Sequence, residues 1–149
     1  DWKELGMLQA VPQGTTGSVP SILSNRFSFC MNCRGPSFTL DSACSSSLVG
    51  THAAKLHLLY KDRLPAMLSA GVMTIVSPLV FMHNCQAHML SPDGRCFTFN
   101  DTANGFLRCE AVGCIVMKNE VFDEEHHHCL ISASNSNQDG RSAGLTAPS

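Results

Sequence analysis

Cys44 sits where one hydrophobic period gives way to another, and few folds accommodate that junction. Before it, Ser37 to Asp41 alternates, with Phe38 and Leu40 on one side and Thr39 on the other, the period of a strand. After it, Leu48, Val49, His52, Ala53, Leu56, Leu59 and Tyr60 recur at helical spacing, with Lys61 and Arg63 at the end and Pro65 just past it. Asp41-Ser42-Ala43-Cys44-Ser45-Ser46-Ser47 is therefore expected to be a sharp turn from strand to helix that presents the thiol. The helix is expected over Ser45 to about Lys61.

A thiol at the first turn of a helix faces the positive end of the macrodipole and backbone N–H groups that lack intrahelical partners. Both favour thiolate over thiol, which makes Cys44 a nucleophile candidate near neutral pH. The same N–H groups, that of Cys44 included, can stabilise an oxyanion on a thioester carbonyl under attack. On spacing alone a plainer reading stands beside this one, because most lone cysteines are small packing residues.

The remaining sequence bounds the class. At 149 residues, 44% hydrophobic and 15% charged, the chain has the length and composition of one globular domain. It starts at Asp1-Trp2-Lys3 and stops at Ala147-Pro148-Ser149, and it reads as a fragment cut at both ends. A net charge of -2 without a Lys/Arg cluster speaks against nucleic acid as a partner. No apolar run reaches the roughly 18 residues of a membrane span. The eight cysteines are scattered through apolar segments and are expected to be reduced and mostly buried. Cys30-Met31-Asn32-Cys33 has CxxC spacing, but no second pair completes a zinc site, and no metal is expected. Of the seven histidines, His52 and His57 lie too far along the Cys44 helix to reach its thiol at about 1.5 Å per residue. The run His126-His127-His128 beside acidic residues reads as a solvated loop.

Along the chain, Leu5 to Gly17 reads as loop, Ser18 to Cys30 as helix, and Arg34-Gly35-Pro36 as punctuation. Ala66 to Val76 reads as a buried strand, a parallel neighbour of the first because a helix links them. Ser91-Pro92-Asp93-Gly94-Arg95 has turn chemistry. Gly113 to Lys118 and Leu130 to Ser134 read as two further strands, joined by the polar segment Asn119 to His128.

Four blocks in order carry a resemblance: Ile22-Leu23-Ser24-Asn25-Arg26-Phe27-Ser28; Arg34-Gly35-Pro36-Ser37 into Asp41 to Val49; Met89-Leu90-Ser91-Pro92-Asp93-Gly94-Arg95-Cys96; and Asn137-Gln138-Asp139-Gly140 through Pro148. Together they resemble β-ketoacyl synthases, and most of all the ketosynthase domain of type I polyketide synthases. The resemblance implies an α/β thiolase-like fold, layered α/β/α/β/α. Here it would be incomplete: residues 1–105 would belong to the first half and 106–149 to the start of the second, with Gly113 to Ser134 its opening hairpin. It implies that Cys44 accepts an acyl chain from a pantetheine thioester and that a malonyl unit on an acyl carrier protein loses carbon dioxide and condenses with it. Two family histidines that promote this step would lie beyond Ser149, so the piece alone is expected to be acylated at most.

By the same resemblance Phe81, Asn84 and Met89 border the acyl pocket, although generic packing accounts for Phe81 and Met89 equally well. No cofactor is bound directly, since substrates travel on the phosphopantetheine of the carrier protein. Partners are that carrier protein, acyl and malonyl thioesters, and a second copy in a homodimer through the Ser37 to Asp41 strand; the location is cytoplasmic. Rival readings are a non-elongating ketosynthase that only holds or passes on the chain, and a cysteine-dependent acyltransferase or thiol hydrolase that never condenses. Departures from the family pattern are Cys109 and Ala111 in place of glycines, a short Lys118 to Cys129 connection, and His88 where a small residue is expected. If those glycines need positive φ, the turn is strained here.

Overall fold

Pro20 and Pro78 each precede a helix, and the left-handed residues Asn32, Ala43 and His88 mark helix boundaries. The order of elements is α1 (Gly14–Ser18), α2 (Ser21–Cys30), a 3-10 turn (Ala43–Ser45), α3 (Ser46–Tyr60), β1 (Met67–Met73), α4 (Leu79–Gln86) and β2 (Ala111–Met117). The computed structural model describes residues 14–60, 64–119 and 127–144, which divide into two units. One holds 14–39 and 71–113, the other 40–60, 64–70, 114–119 and 127–144. Residues 5–13 of the expected first loop, Lys61 and Arg63, most of the 119–128 connection including His126, and Leu145 to Pro148 of the last family block lie outside the described residues.

The expected helix over Ser18 to Cys30 is broken at its start. Pro20 disfavours helical geometry in the residue before it and has no N–H to donate, so a short α1 ends at Ser18 and α2 starts one residue beyond the proline. Residues 14–17, expected as loop, are the first residues of α1. The far end of α2 closes with Asn32 at φ 51, where Cys33 N–H donates to Ser28 O at 2.8 Å and Asn32 N–H to Phe29 O at 3.3 Å. This pair of bonds is the Schellman arrangement that satisfies a helix's last carbonyls. α4 ends the same way, with Met89 N–H on Asn84 O and His88 N–H on Cys85 O, both at 3.0 Å, and His88 at φ 53. His88 thus occupies the left-handed position that glycine or asparagine normally takes, and its side chain is carried there at a cost.

The sheet differs from expectation in three places. β1 forms within the expected Ala66 to Val76 run, but it is buried on one face only: Ser69 is buried while Leu68 and Val72 are exposed. Its partner is β2, in a two-stranded sheet. Residues 37–41 join no ladder among the described residues; the Thr39 hydroxyl instead donates toward Pro20 O at 2.8 Å, with Ser24 Oγ at 3.1 Å. An alternating run becomes a strand only where a neighbour supplies hydrogen bonds. Leu130 to Ser134 likewise forms no strand, so β2 opens no hairpin with it.

In the second unit, α3 packs through one face. Thr51, Ala54 and Leu58 fall at i, i+3 and i+7, and Ala54 and Leu58 are buried. The Thr51 and Ser69 hydroxyls meet at 3.2 Å, fixing α3 against β1. Gly50 permits that approach, because a Cβ there would stand 3.3 Å from Ser69 Oγ.

In the first unit the loop from Met89 to Phe106 is cross-tied. Ser91 N–H donates to Phe106 O at 3.0 Å and Phe106 N–H to Met89 O at 3.1 Å. The buried Ser91 hydroxyl donates to Asn104 Oδ1 at 2.6 Å, and Asn104 Nδ2 to Asp93 Oδ2 at 2.7 Å. Ser91 to Gly94 is the expected turn, closed by Gly94 N–H on Ser91 O at 3.2 Å with Gly94 at φ 66. Gly105, at φ 145, lies against this backbone: a Cβ would sit 2.4 Å from Ser91 N and 2.6 Å from Leu90 C. By contrast, neither Cys109 nor Ala111 has positive φ, so the two lost family glycines leave no strain behind.

Two substitutions test these assignments with opposite signs. Gly105→Ala should cost about 3 kcal/mol, from a backbone clash and an inaccessible φ together. His88→Gly should raise stability by about 1 kcal/mol by removing a Cβ from a left-handed residue. Denaturant unfolding of the full-length protein reads both.

Candidate active site

The turn carrying Cys44 is assembled almost wholly from its own neighbours. Ala43 lies at φ 57, a left-handed conformation that costs a residue with a side chain about 1–2 kcal/mol. Four side-chain bonds brace the turn around it. The Ala43 N–H donates to Asp41 Oδ1 at 3.0 Å, and the Ser45 hydroxyl donates to Ser42 O at 2.8 Å. Ser46 Oγ accepts the Ser42 N–H at 2.8 Å and donates to Ala43 O at 2.6 Å. At about 0.5–1.5 kcal/mol net for each bond, the set is large enough to offset the backbone cost.

Cys44 follows on the 3-10 turn immediately ahead of α3, and its thiol is free and exposed. The expected sharp turn into a helix is present, with α3 running Ser46–Tyr60 against the expected Ser45 to about Lys61. The Cys44 N–H has no hydrogen-bond partner among the described residues, so it remains available to an incoming oxygen. A substrate carbonyl approaching the sulfur would meet this donor and the positive end of the helix together.

The other cysteines correct the sequence reading. All eight are free and exposed, where burial of most was expected. They fall in short elements and loops whose apolar residues are themselves largely open, as at Phe29, Val112 and Val116. Exposure therefore does not distinguish Cys44; its backbone setting does. His52 is half-buried and its Nδ1 lies 2.9 Å from Ser134 Oγ, tying the 134 region to α3 and leaving His52 with a structural contact.

Phe81, Asn84 and Met89 belong to the first unit, and Cys44 to the second. Phe81 and Asn84 lie three residues apart on α4, on neighbouring positions of one face. The Asn84 carbonyl takes the Met89 N–H at 3.0 Å, so the three are held within one local structure. Phe81 lines a shallow, open surface depression of about 360 Å³ with Ile75, Val76, Ser77 and Pro78; Asn84 and Met89 are not among its lining residues. The sequence reading did not identify α4. Its signal is Pro78 set before an apolar run, the start pattern of a helix.

The bracing role of Ser46 was missed for a different reason. Within three consecutive serines nothing in residue type separates the one whose hydroxyl turns back from the others.

Among the described residues no three His, Cys, Asp or Glu side chains gather to hold a metal ion, and no helix is long and apolar enough to cross a membrane.

Comparison with known proteins finds similar chains. Residues 3–121 match the family model for the β-ketoacyl synthase N-terminal domain. The chain is 42% identical over 137 residues to the polyketide synthase PksL of Bacillus subtilis, covering 90% of this chain and 3% of that protein. It is 43% identical over 139 residues to highly reducing polyketide synthase 40 of Fusarium pseudograminearum, covering 91% of this chain and 5% of that one. Among solved structures, the ketosynthase from module 6 of the bacillaene synthase of Bacillus subtilis matches with a TM-score of 0.65 at 39% identity, over 74% of this chain and 20% of that one. The chain thus spans a small part of each relative's length.

The brace predicts a graded response at Ala43. Ala43→Gly should be neutral or stabilising by up to about 1 kcal/mol, whereas Ala43→Val, β-branched at the same φ, should cost about 2 kcal/mol. Denaturant midpoints of the two variants, compared in one protein, check the order.

Proposed function

The chain belongs to the β-ketoacyl synthase family, and from that premise we propose that Cys44 is the acyl-accepting nucleophile of a polyketide-assembling ketosynthase. Its fold is the α/β thiolase-like fold of ketosynthase domains, present in part. The observation that carries the assignment is the position of Cys44: exposed, on a braced left-handed turn, at the head of α3, with its own N–H unpartnered among the described residues.

In the first half-reaction the Cys44 sulfur attacks the carbonyl carbon of an acyl thioester. A C–S bond forms, and the carbonyl electrons move to oxygen, where the Cys44 N–H and the helix end stabilise the charge. Collapse of that intermediate expels the pantetheine sulfur as the leaving group. In the second, a malonyl unit carried by an acyl carrier protein loses carbon dioxide, and its carbon attacks the Cys44 thioester. A C–C bond forms, the Cys44 sulfur leaves, and a β-ketoacyl chain remains on the carrier.

The two histidines that the family resemblance assigns to the second half-reaction are not among these 149 residues. Phe81, Asn84 and Met89 are proposed to border the acyl chain; beside Phe81 the surface forms an open depression. The phosphopantetheine of the carrier protein, a homodimer through the 37–41 segment and a cytoplasmic location belong to the same proposal. The exposed side chains of Phe38 and Leu40 are consistent with an interface there.

In the full-length parent synthase, Cys44→Ala should abolish chain extension from acyl and malonyl thioesters, and iodoacetamide or cerulenin should block it by modifying Cys44. Product mass spectrometry decides: an unchanged condensation rate in Cys44→Ala defeats the assignment, and free acid as the sole product points to a hydrolase instead.

A further inference from the structure

We propose that Ser46 is a positioning residue for the Cys44 nucleophile. The proposal rests on the role just assigned to Cys44 and concerns how its sulfur is aimed. Ser46 is the first residue of α3, yet its side chain turns back across Cys44 to the two residues before it. Its oxygen accepts the Ser42 N–H at 2.8 Å, and its proton goes to the Ala43 carbonyl at 2.6 Å. The Ser46 backbone N–H bonds that same carbonyl. A hydroxyl has one proton to give, and here it has a single acceptor, so the direction of both bonds is determined.

These bonds close a loop around Cys44 from either side. Its preceding residue is the one at φ 57, and rotation of Ala43 out of the left-handed region would swing the Cα–Cβ bond of Cys44 with it. The other hydroxyl bonds of the turn do not control that rotation. Ser45 reaches only Ser42, through its carbonyl at 2.8 Å and its hydroxyl at 2.9 Å. Asp41 holds the Ala43 N–H, on the near side of the φ bond, while Ser46 holds the Ala43 carbonyl, on the far side. Without the Ser46 hydroxyl the Ser42 N–H loses its partner and the Ala43 carbonyl keeps only the backbone bond, so the reason to stay left-handed weakens.

Nucleophilic attack is sensitive to aim, and a displacement of about 1 Å can cost about a hundredfold in rate. Acylation of Cys44 by an acyl pantetheine thioester, followed by intact-protein mass in the full-length synthase, is the measurement. Ser46→Ala should slow acylation at least about tenfold, and Ser46→Thr, which keeps the hydroxyl, should restore it to within about threefold of wild type. Thr51→Ala removes a different hydroxyl of the same helix, one that bonds Ser47 O and meets Ser69 Oγ; it should lower the melting temperature and leave the acylation rate unchanged. An undiminished rate in Ser46→Ala, a Ser46→Thr variant as slow as Ser46→Ala, or an equal loss in Thr51→Ala each overturns the proposal. Cys44→Ala, run in the same series, separates the two readings: acylation that survives it overturns the role of Cys44, whereas its absence there beside a wild-type rate in Ser46→Ala overturns the role of Ser46 alone.

Discussion

A residue with a Cβ held at φ 57 is a standing cost, and the arrangement of this chain around residue 43 follows from meeting it. The left-handed step falls directly before Cys44 and two residues before the last residue of the 3-10 turn, so α3 begins at Ser46 and the thiol stands at its head. Neither flank could provide this alone. A helix continued backward through Ala43 would draw Cys44 into its ladder and give its N–H a partner, and a strand continued forward would leave the sulfur with no helix end beside it. The bracing bonds come from Asp41, Ser45 and Ser46, all within three residues of the cysteine. Local bracing of this kind needs little from the distant fold, and it accounts for the density of small hydroxylated residues there.

The first unit meets the same difficulty with glycine. Between Met89 and Phe106 the backbone crosses itself closely enough that any Cβ at residue 105 would collide with Ser91 N and Leu90 C. Here the constraint is space as much as dihedral angle, and side-chain bracing cannot relieve a backbone collision. Ala43 and Gly105 thus mark two kinds of special position. One is conformational and can be offset by hydrogen bonds; the other is steric and admits a single residue type.

What could be read from the residues divides along physical lines. The α3 helix, the Ser91 to Gly94 turn and the strand within Ala66 to Val76 were legible because each is specified by a pattern over its own length. The candidate nucleophile was legible by its place directly ahead of the α3 pattern and within the family blocks around it. The strands expected at 37–41 and 130–134 were not legible in the same sense, because a strand is a property of a pair and the local period names no partner. β2 shows this from the other side: its segment was recognised, but its pairing with β1, from the far side of α4, is not written in its own residues. The Ser46 brace was invisible because hydroxyl direction is a matter of three-dimensional aim, and three adjacent serines are identical in every respect a sequence records.

The departures from the family pattern gain meaning once the backbone is known. Cys109 and Ala111 replace glycines at positions whose dihedrals any residue can adopt, so a Cβ is added without penalty. Nearby, Glu110 Oε1 accepts the Ile75 N–H at 2.7 Å, and the Arg108 guanidinium lies 3.7 Å from Met73 Sδ. Both side chains reach toward residues that follow directly on β1 or end it, so the segment leading into β2 is tied to β1 by side chains as well as by the ladder. Glycine at 109 and 111 would add freedom to this segment without relieving any strain. Its loss is consistent with a backbone already held by Arg108 and Glu110. The opposite case is His88, where the φ of 53 does call for glycine and the side chain is carried at a cost. Cys109 and Ala111 thus carry a Cβ where the dihedrals accept one, His88 carries one where they do not, and at Ala43 the same cost is shared by the hydrogen bonds of neighbouring side chains.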